Sequence, residues 1–397
     1  MTDRPFRFNR RASLRGRSQT LGSSDHLTGN GINSRSSSRN SSYQNFFPPE
    51  DMNDLEAGRS SSFIQNGNVR VLVVLVIPQK DFKCTFQLEC FCFLKKCQSH
   101  PYSHCNSCLL GWIFVHLFFW DPAGVPYFKR GKLTRMEESS YVVDWLDRAE
   151  GVEILTKISE DGRGMELSDL CRFQNRTLAP DDRTGIIYEI VNPLGGINGI
   201  TGAPYAATRY VLPDGNGNEV KGFKGEWMTV KDGFLYVGSH GRERTDAKNG
   251  THIESYNPMW IKRIDSRGNI EHIDWSENYN AVRKAVGASF PGYLENEAVL
   301  WSSRRRSWIF LPRRWSLEPY DDEKNEFREE KGFSSARFVP GSKETLICAL
   351  RTIEHEEKKA YATYMTIFSI ESGNVVLPDT LIGNQKYEGI EFLAESL

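Results

Sequence analysis

A chain of 397 residues exceeds the roughly 100–200 of one ordinary domain, so it has room for one large closed domain with appendages or for two domains. Fifty Lys+Arg against 51 Asp+Glu leave a net charge of -1, which removes any global electrostatic case for nucleic-acid binding. A mean hydropathy of -0.50 excludes a polytopic membrane protein, 33 Gly with 12% aromatics argue against a mostly disordered chain, and eight Cys are too few for a disulfide scaffold.

Residues 1–67 carry 13 Ser, 9 Arg and no Lys. Such a segment cannot bury enough apolar surface to offset its ordering entropy, and a disordered tail is expected there. It opens without an apolar h-region, so it does not read as a cleavable signal peptide. From Val69 an apolar run reaches Ile77 and is closed by Pro78; a second runs from Cys108 to Trp120, interrupted by His116. Both fall short of the roughly 20 residues that span a bilayer, and each is expected to be a buried strand or partial anchor. If either inserts, the Arg-rich tail stays cytosolic and the remainder faces the lumen.

The segment 68–125 also holds Cys84, Cys90, Cys92, Cys97, Cys105 and Cys108, with His100 and His104 among them. Only Cys105-x2-Cys108 has the form of a zinc knuckle, so an atypical Cys-rich insert is the leading reading and a zinc module the lesser one.

After Pro126 the chain becomes a series of short β-type runs separated by Gly, Asp, Asn and Pro, such as Gly185–Ile190, Gly233–Gly238, Ser307–Leu311, Thr345–Leu350 and Tyr364–Ile370. This predicts an all-β sandwich, barrel or propeller over 126–397. One helix is expected, Asn278–Val286. A weak repeat narrows the choice. Ser168-Asp-Leu, Glu226-Trp-Met, Glu297-Ala-Val, Ser334-Ser-Ala and Glu388-Gly-Ile each open a hydrophobic run, at intervals of 58, 71, 37 and 54 residues. These intervals bracket the roughly 40–50 of a four-stranded propeller blade. In a propeller the first residues of the innermost strands converge on the axis, so two Ser and three Glu would meet there. Oxygen donors without Cys or His suit a hard cation such as calcium.

The stretches Gly162–Leu170, Asp181-Asp-Arg-Thr-Gly185, Gly222-Phe-Lys-Gly-Glu-Trp227, Trp275–Asn280, Pro291–Leu294, Phe310-Leu-Pro-Arg-Arg314, Gly332–Ser335 and Lys386–Phe392 resemble, in order, the calcium-activated nucleotidases, the soluble apyrases. The resemblance implies a five-bladed β-propeller with a central calcium ion that hydrolyses nucleoside diphosphates, UDP and GDP ahead of triphosphates. It implies as metal ligands Ser168, Asp169, Glu226, Glu297, Ser334 and Glu388. Arg313 matches the family's functional arginine, and Asp182 an aspartate near the reacting water, as base or positioner. Arg183 and Arg314 are further phosphate candidates, and Arg183 reads equally as a turn-capping group. Lys224 and Trp227 flank Glu226 as phosphate and base contacts, although a Trp after a strand start is more often core. No P-loop or Ser-His-Asp arrangement competes.

The family's first blade opens with an Asp-Leu-Asp type motif after its strand. Here Val69–Ile77 leads instead into Pro78-Gln-Lys and the Cys-rich insert, neither Asp81 nor Asp121 sits in that context, and the pattern resumes at Tyr127–Thr134. The alternative to an enzyme is therefore a catalytically inactive calcium-binding propeller acting as an interaction platform. The resemblance further implies the endoplasmic reticulum or Golgi lumen, with type II anchoring or secretion, support of glycosylation and protein folding by UDP removal, and a homodimer as one oligomeric option. The sequons at Asn40, Asn175 and Asn249 are compatible with lumenal exposure.

Overall fold

The computed structural model describes residues 61–66, 69–74, 113–120, 126–137, 140–148, 151–154, 165–196, 201–246, 250–321, 331–355 and 360–394. Residues 1–60, the six cysteines from Cys84 to Cys108, Asp81, Asp121, Gly162 to Gly164 and the sequon asparagines Asn40 and Asn249 lie outside the described residues.

The described chain is all-β with one α-helix, Ser276–Ala285, close to the helix expected at Asn278–Val286. Its start is fixed by Asp274, whose Oδ1 accepts from Ser276 N at 2.9 Å. The strands form propeller blades, in three of which each strand runs antiparallel to its neighbour. One blade is Cys171–Phe173, Arg176–Pro180, Ile186–Val191 and Tyr205–Val211. The next is Trp227–Lys231, Phe234–Gly238, Trp260–Ile264 and Ile270–Asp274. A third is Gly332–Phe338, Leu346–His355, Ala360–Ser369 and Val375–Gly383.

The fourth four-stranded sheet mixes distant parts of the chain. Tyr293–Ser302 pairs with Ser307–Ser316, which runs parallel to Val69–Val74, and Ser61–Asn66 closes the edge. The tail expected through residue 67 thus ends in a strand. Asn66 faces Val69 across the pair, and Asn66-Gly67 is a hairpin signal that a composition argument passes over. The remaining large sheet orders Lys386–Ala394, Ile113–Trp120, Pro126–Glu137 and Ser140–Trp145, with Val152–Glu153 also on Pro126–Glu137. Both short apolar runs therefore supply strands, and no helix among the described residues is long and apolar enough to cross a membrane. Against five blades expected, four four-stranded sheets are present, together with this five-stranded sheet and a small ribbon of Arg244–Thr245 with Ile253–Ser255.

The cores lie between neighbouring sheets, because each sheet presents an apolar face to both sides. The largest packs Trp227, Trp275, Tyr279, Trp301, Trp308 and Phe310 around the helix. Others join the strands around Leu300 and Ile347, around Leu117 and Leu350, around Phe128 and Tyr188, and around Phe173 and Val237. The innermost strands neighbour one another in turn: Cys171–Phe173 beside Trp227–Lys231, then Tyr293–Ser302, Gly332–Phe338, Lys386–Ala394, and back to Cys171–Phe173. At the last junction Gly389 lets two backbones approach, since a Cβ there would lie 3.0 Å from the Asp169 carbonyl carbon and from Leu170 N.

Candidate active site

Three of the innermost strands carry a β-bulge at the same place, and in each the extra residue is one of the oxygen donors. Glu297 stands between the pairs Asn296/Pro312 and Ala298/Leu311. Ser334 stands between Phe333/Arg351 and Ser335/Leu350, and Glu388 between Tyr387/Phe119 and Gly389/Phe118. A bulge breaks the two-residue alternation and re-aims one side chain. Glu226 and Ser168 are placed just ahead of their innermost strands by backbone bonds, Glu226 N to Gly238 O at 2.8 Å and Ser168 N to Pro180 O at 3.0 Å.

All five are buried or nearly so, and the glutamates feel one another. Burial, with Glu226 and Glu388 adding and Arg313 opposing, pushes the Glu297 carboxyl up to about 8. Burial also raises Glu226, with Asp182 and Glu388 acting in the same direction against Lys224. Each glutamate is held by a cation: Lys224 Nζ lies 2.6 Å from Glu226 Oε1, Arg313 Nε 3.3 Å from Glu297 Oε2, and Lys386 Nζ 2.5 Å from Glu388 Oε1. Among the described residues no three His, Cys, Asp or Glu side chains form a metal cage on their own. The donor set is nonetheless oxygen only, with mutually repelling carboxylates, which suits a hard divalent cation.

The two aspartates of Asp181-Asp182 divide the work. Asp181 organises its own turn, Oδ1 accepting from Arg183 N, Thr184 N and Thr184 Oγ1, and Oδ2 from Glu166 N. Asp182 turns to Lys224, whose Nζ donates to Oδ2 at 2.7 Å, while its buried Oδ1 has no protein donor. Burial alone would raise the Asp182 carboxyl; Lys224, helped by Lys386 and Arg183, holds it below its ordinary value. Arg183 lies at the rim, its Nε 3.5 Å from Glu166.

Arg313 is buried and internally engaged. Nη1 donates to Thr352 O at 3.2 Å and Gly332 O at 3.4 Å, and Nη2 lies 2.6 Å from Glu354 Oε1. Arg314, 28% exposed, donates Nη2 to Glu354 Oε2 at 3.0 Å.

Two residues expected in the site have other duties. The Asp169 carboxylate is spent on four donors, Leu170 N, Ser335 Oγ, Met228 N and Arg337 Nη2, and so fastens three sheets instead of joining the glutamates. Trp227 is fully buried, with Nε1 donating to Ser239 O at 3.0 Å and its ring 5.7 Å from Trp275, so it is core. Ser334 donates Oγ to Tyr387 O at 2.8 Å, which leaves its lone pairs as acceptors. Conversely, Lys386 and Glu354 belong to the cluster without having been singled out. Lys386 was legible: Lys224-x-Glu226 and Lys386-x-Glu388 repeat one spacing, and residues two apart share a strand face. Glu354 was not, because Arg351-Thr-Ile-Glu-His-Glu-Glu-Lys-Lys reads as a solvated charge run.

A propeller that gathers carboxylates, lysines and arginines has the chemistry to hold a cation and an anionic substrate, and similarity to known proteins makes this specific. A family model described as apyrase matches residues 124–329 and 324–393. The soluble calcium-activated nucleotidase 1 of Rattus norvegicus is 39% identical over 292 residues, 67% of this chain and 68% of that protein. An apyrase of Cimex lectularius is 38% identical over 276 residues, 63% of this chain and 71% of that one. Apyrase apy-1 of Caenorhabditis elegans is 38% identical over 282 residues, 64% and 72% of the two chains. The chain belongs to the apyrase family and is a nucleotide-hydrolysing enzyme.

Proposed function

We propose that the protein hydrolyses nucleoside diphosphates, UDP and GDP ahead of triphosphates, to the monophosphate and phosphate in a calcium-dependent reaction. The observation that carries this reading is the bulge residue in each of three innermost strands, Glu297, Ser334 and Glu388, together with the mutual repulsion of Glu226, Glu297 and Glu388, which supports a shared cation site with Ser168. These five residues would hold the ion, and the name of the rat relative supports calcium as its identity. When bound, such an ion polarises a phosphoryl oxygen and offsets the charge that develops on it.

The chain's own residues do the rest. Arg314 presents its exposed edge to the substrate phosphates, a planar fork that matches their oxygens. Arg313 holds Glu297 and Glu354 in place behind it. Lys224 fixes the Asp182 carboxylate so that the unpartnered Oδ1 accepts a hydrogen bond from the attacking water. The lowered proton affinity of Asp182 suits orienting that water more than deprotonating it. The five-stranded sheet serves in this reading as the fifth blade, since its strand Lys386–Ala394 carries Glu388. A lumenal secretory location, anchored or secreted, fits the family and the exposed hairpin-tip sequon asparagine Asn175.

Phosphate release from UDP, GDP, ADP and ATP, with calcium, with magnesium and with chelator, tests the proposal. Activity on diphosphates that requires calcium and is lost in Glu226→Ala supports it. Calcium-dependent thermal stabilisation without any phosphate release instead establishes the inactive calcium-binding propeller, the reading favoured by the departure of segment 78–125 from the family pattern.

A further inference from the structure

Glu354 lies one residue from the end of the strand Leu346–His355 and is 8% exposed. Its Oε1 is 2.6 Å from Arg313 Nη2 and 3.0 Å from Lys386 Nζ, and its Oε2 is 3.0 Å from Arg314 Nη2. The three cations come from two other sheets, by way of the strands Ser307–Ser316 and Lys386–Ala394. One carboxylate therefore gathers three like charges that would otherwise repel each other apart.

We propose that Glu354 is the positioning residue of the phosphate-binding cations, holding the buried Arg313 in place behind and aiming Arg314 and Lys386 toward a single substrate phosphate. The inference rests on the nucleotide-hydrolysing reading above and adds to it how the cationic groups are aimed. Arg313 and Lys386 have second acid partners in Glu297 and Glu388, and Arg314 has one in Glu295, which faces it across the strand pair; Glu354 is the carboxylate common to all three. An arginine with one guanidinium nitrogen fixed from behind offers a preset fork; an arginine left to rotate must be ordered by the substrate at a cost in affinity. Both oxygens of Glu354 lie at ion-pair distance from these cations, which fits a role in aim.

Two variants and one double variant test this in the full chain. Glu354→Gln removes the charge, and Glu354→Asp keeps it but withdraws it by one methylene, so that it no longer reaches all three cations; the latter carries the test if the former does not fold. With Glu354→Asp, KM for a diphosphate and Kd for inorganic phosphate, measured by calorimetry, are both expected to rise about tenfold, with kcat also falling and the thermal midpoint near wild type. In an Arg314→Ala background the same change is expected to add less than about threefold, because the two residues act as one unit. Glu354→Asp and Glu354→Gln proteins that melt like wild type and keep KM, kcat and phosphate affinity within about twofold overturn the inference while the function stands; so do losses that multiply independently on Arg314→Ala. A wild-type protein that neither releases phosphate from any diphosphate nor binds inorganic phosphate overturns the functional reading, and this inference with it.

Discussion

Replacing Asp169 by Asn separates a fastener from a metal ligand. The carboxylate accepts from Leu170 N at 2.9 Å, Ser335 Oγ at 2.7 Å, Met228 N at 2.8 Å and Arg337 Nη2 at 3.1 Å. An amide has one acceptor oxygen, so whichever way it turns, two buried donors meet an NH2 group, and Arg337 keeps Glu391 at 3.3 Å as its acidic partner beside the Ala336 and Leu170 carbonyls. Breaking a buried charge pair costs about 3–5 kcal/mol. Burial already pushes the Asp169 carboxyl up to about 6 against the pull of Arg337, which means the charge is held at some expense and places the loss at the lower end, about 3 kcal/mol. In a fold of this size that corresponds to a thermal midpoint about 6–12 °C lower. Urea unfolding followed by tryptophan fluorescence measures the loss, and the calcium concentration for half-maximal activity measures ligation. The expected result is reduced stability with the calcium midpoint within about threefold of wild type, since the Asp169 carboxylate is already engaged by four protein donors. Unchanged stability with a calcium midpoint raised tenfold or more would falsify this assignment.

Three further outcomes are expected. The His116 ring is buried against Phe128 with neither nitrogen hydrogen-bonded, and burial, aided by Arg130 and Arg172, pushes it down to about 3. The folded ring therefore stays neutral while the unfolded one protonates below about 6.5, so stability falls as pH drops through that range; His116→Phe should spare about 2 kcal/mol at pH 5 relative to wild type, read by parallel denaturation at pH 7.5 and 5. Arg283 grips both oxygens of Glu243, at 2.9 and 2.7 Å, and Gly292 O at 2.7 Å behind the helix; Glu243→Gln should cost about 3 kcal/mol by denaturation while kcat of the folded fraction is kept. Arg314→Ala should raise KM about tenfold with a near-native melt, whereas Arg313→Ala, which removes the cation paired with Glu297 and one of the three around Glu354, should lower both the melting temperature and kcat.

The spacing of Ser168, Glu226, Glu297, Ser334 and Glu388 was legible as a repeat because a hydrophobic run after a polar residue is visible in one dimension, although only Ser168 and Glu226 stand ahead of their strands while the other three lie within theirs. The bulges were not, since an extra residue in one strand shows only against its partner, as Glu388 does between Tyr387/Phe119 and Gly389/Phe118. Asp169 misled for a related reason. Its neighbour Ser168 is at the rim, but one residue further along the alternation turns the carboxylate into the joint between sheets, where Arg337 arrives from 168 positions away. Trp227 was open between base contact and core until the helix Ser276–Ala285 was seen to close over it with Trp275 and Tyr279. The strand at Ser61–Asn66 hid in a Ser-rich composition, because pairing with Val69–Val74 is a property of two segments together.

The strand Lys386–Ala394 pairs with Ile113–Trp120, joining Ile113 to Ala394, residues 281 positions apart. Contacts this distant in sequence are made late, after nearly all of the chain has been synthesised. The same strand carries Lys386 and Glu388, so closing the ring and completing the site are a single event. A ribosome-bound or truncated chain that stops before residue 386 would have most of its sheets but an open seam and a site missing both groups. Catalytic competence would therefore certify that the circle has been sealed, and an incomplete product in a cell would be inert toward nucleotides as well as exposed to proteolysis.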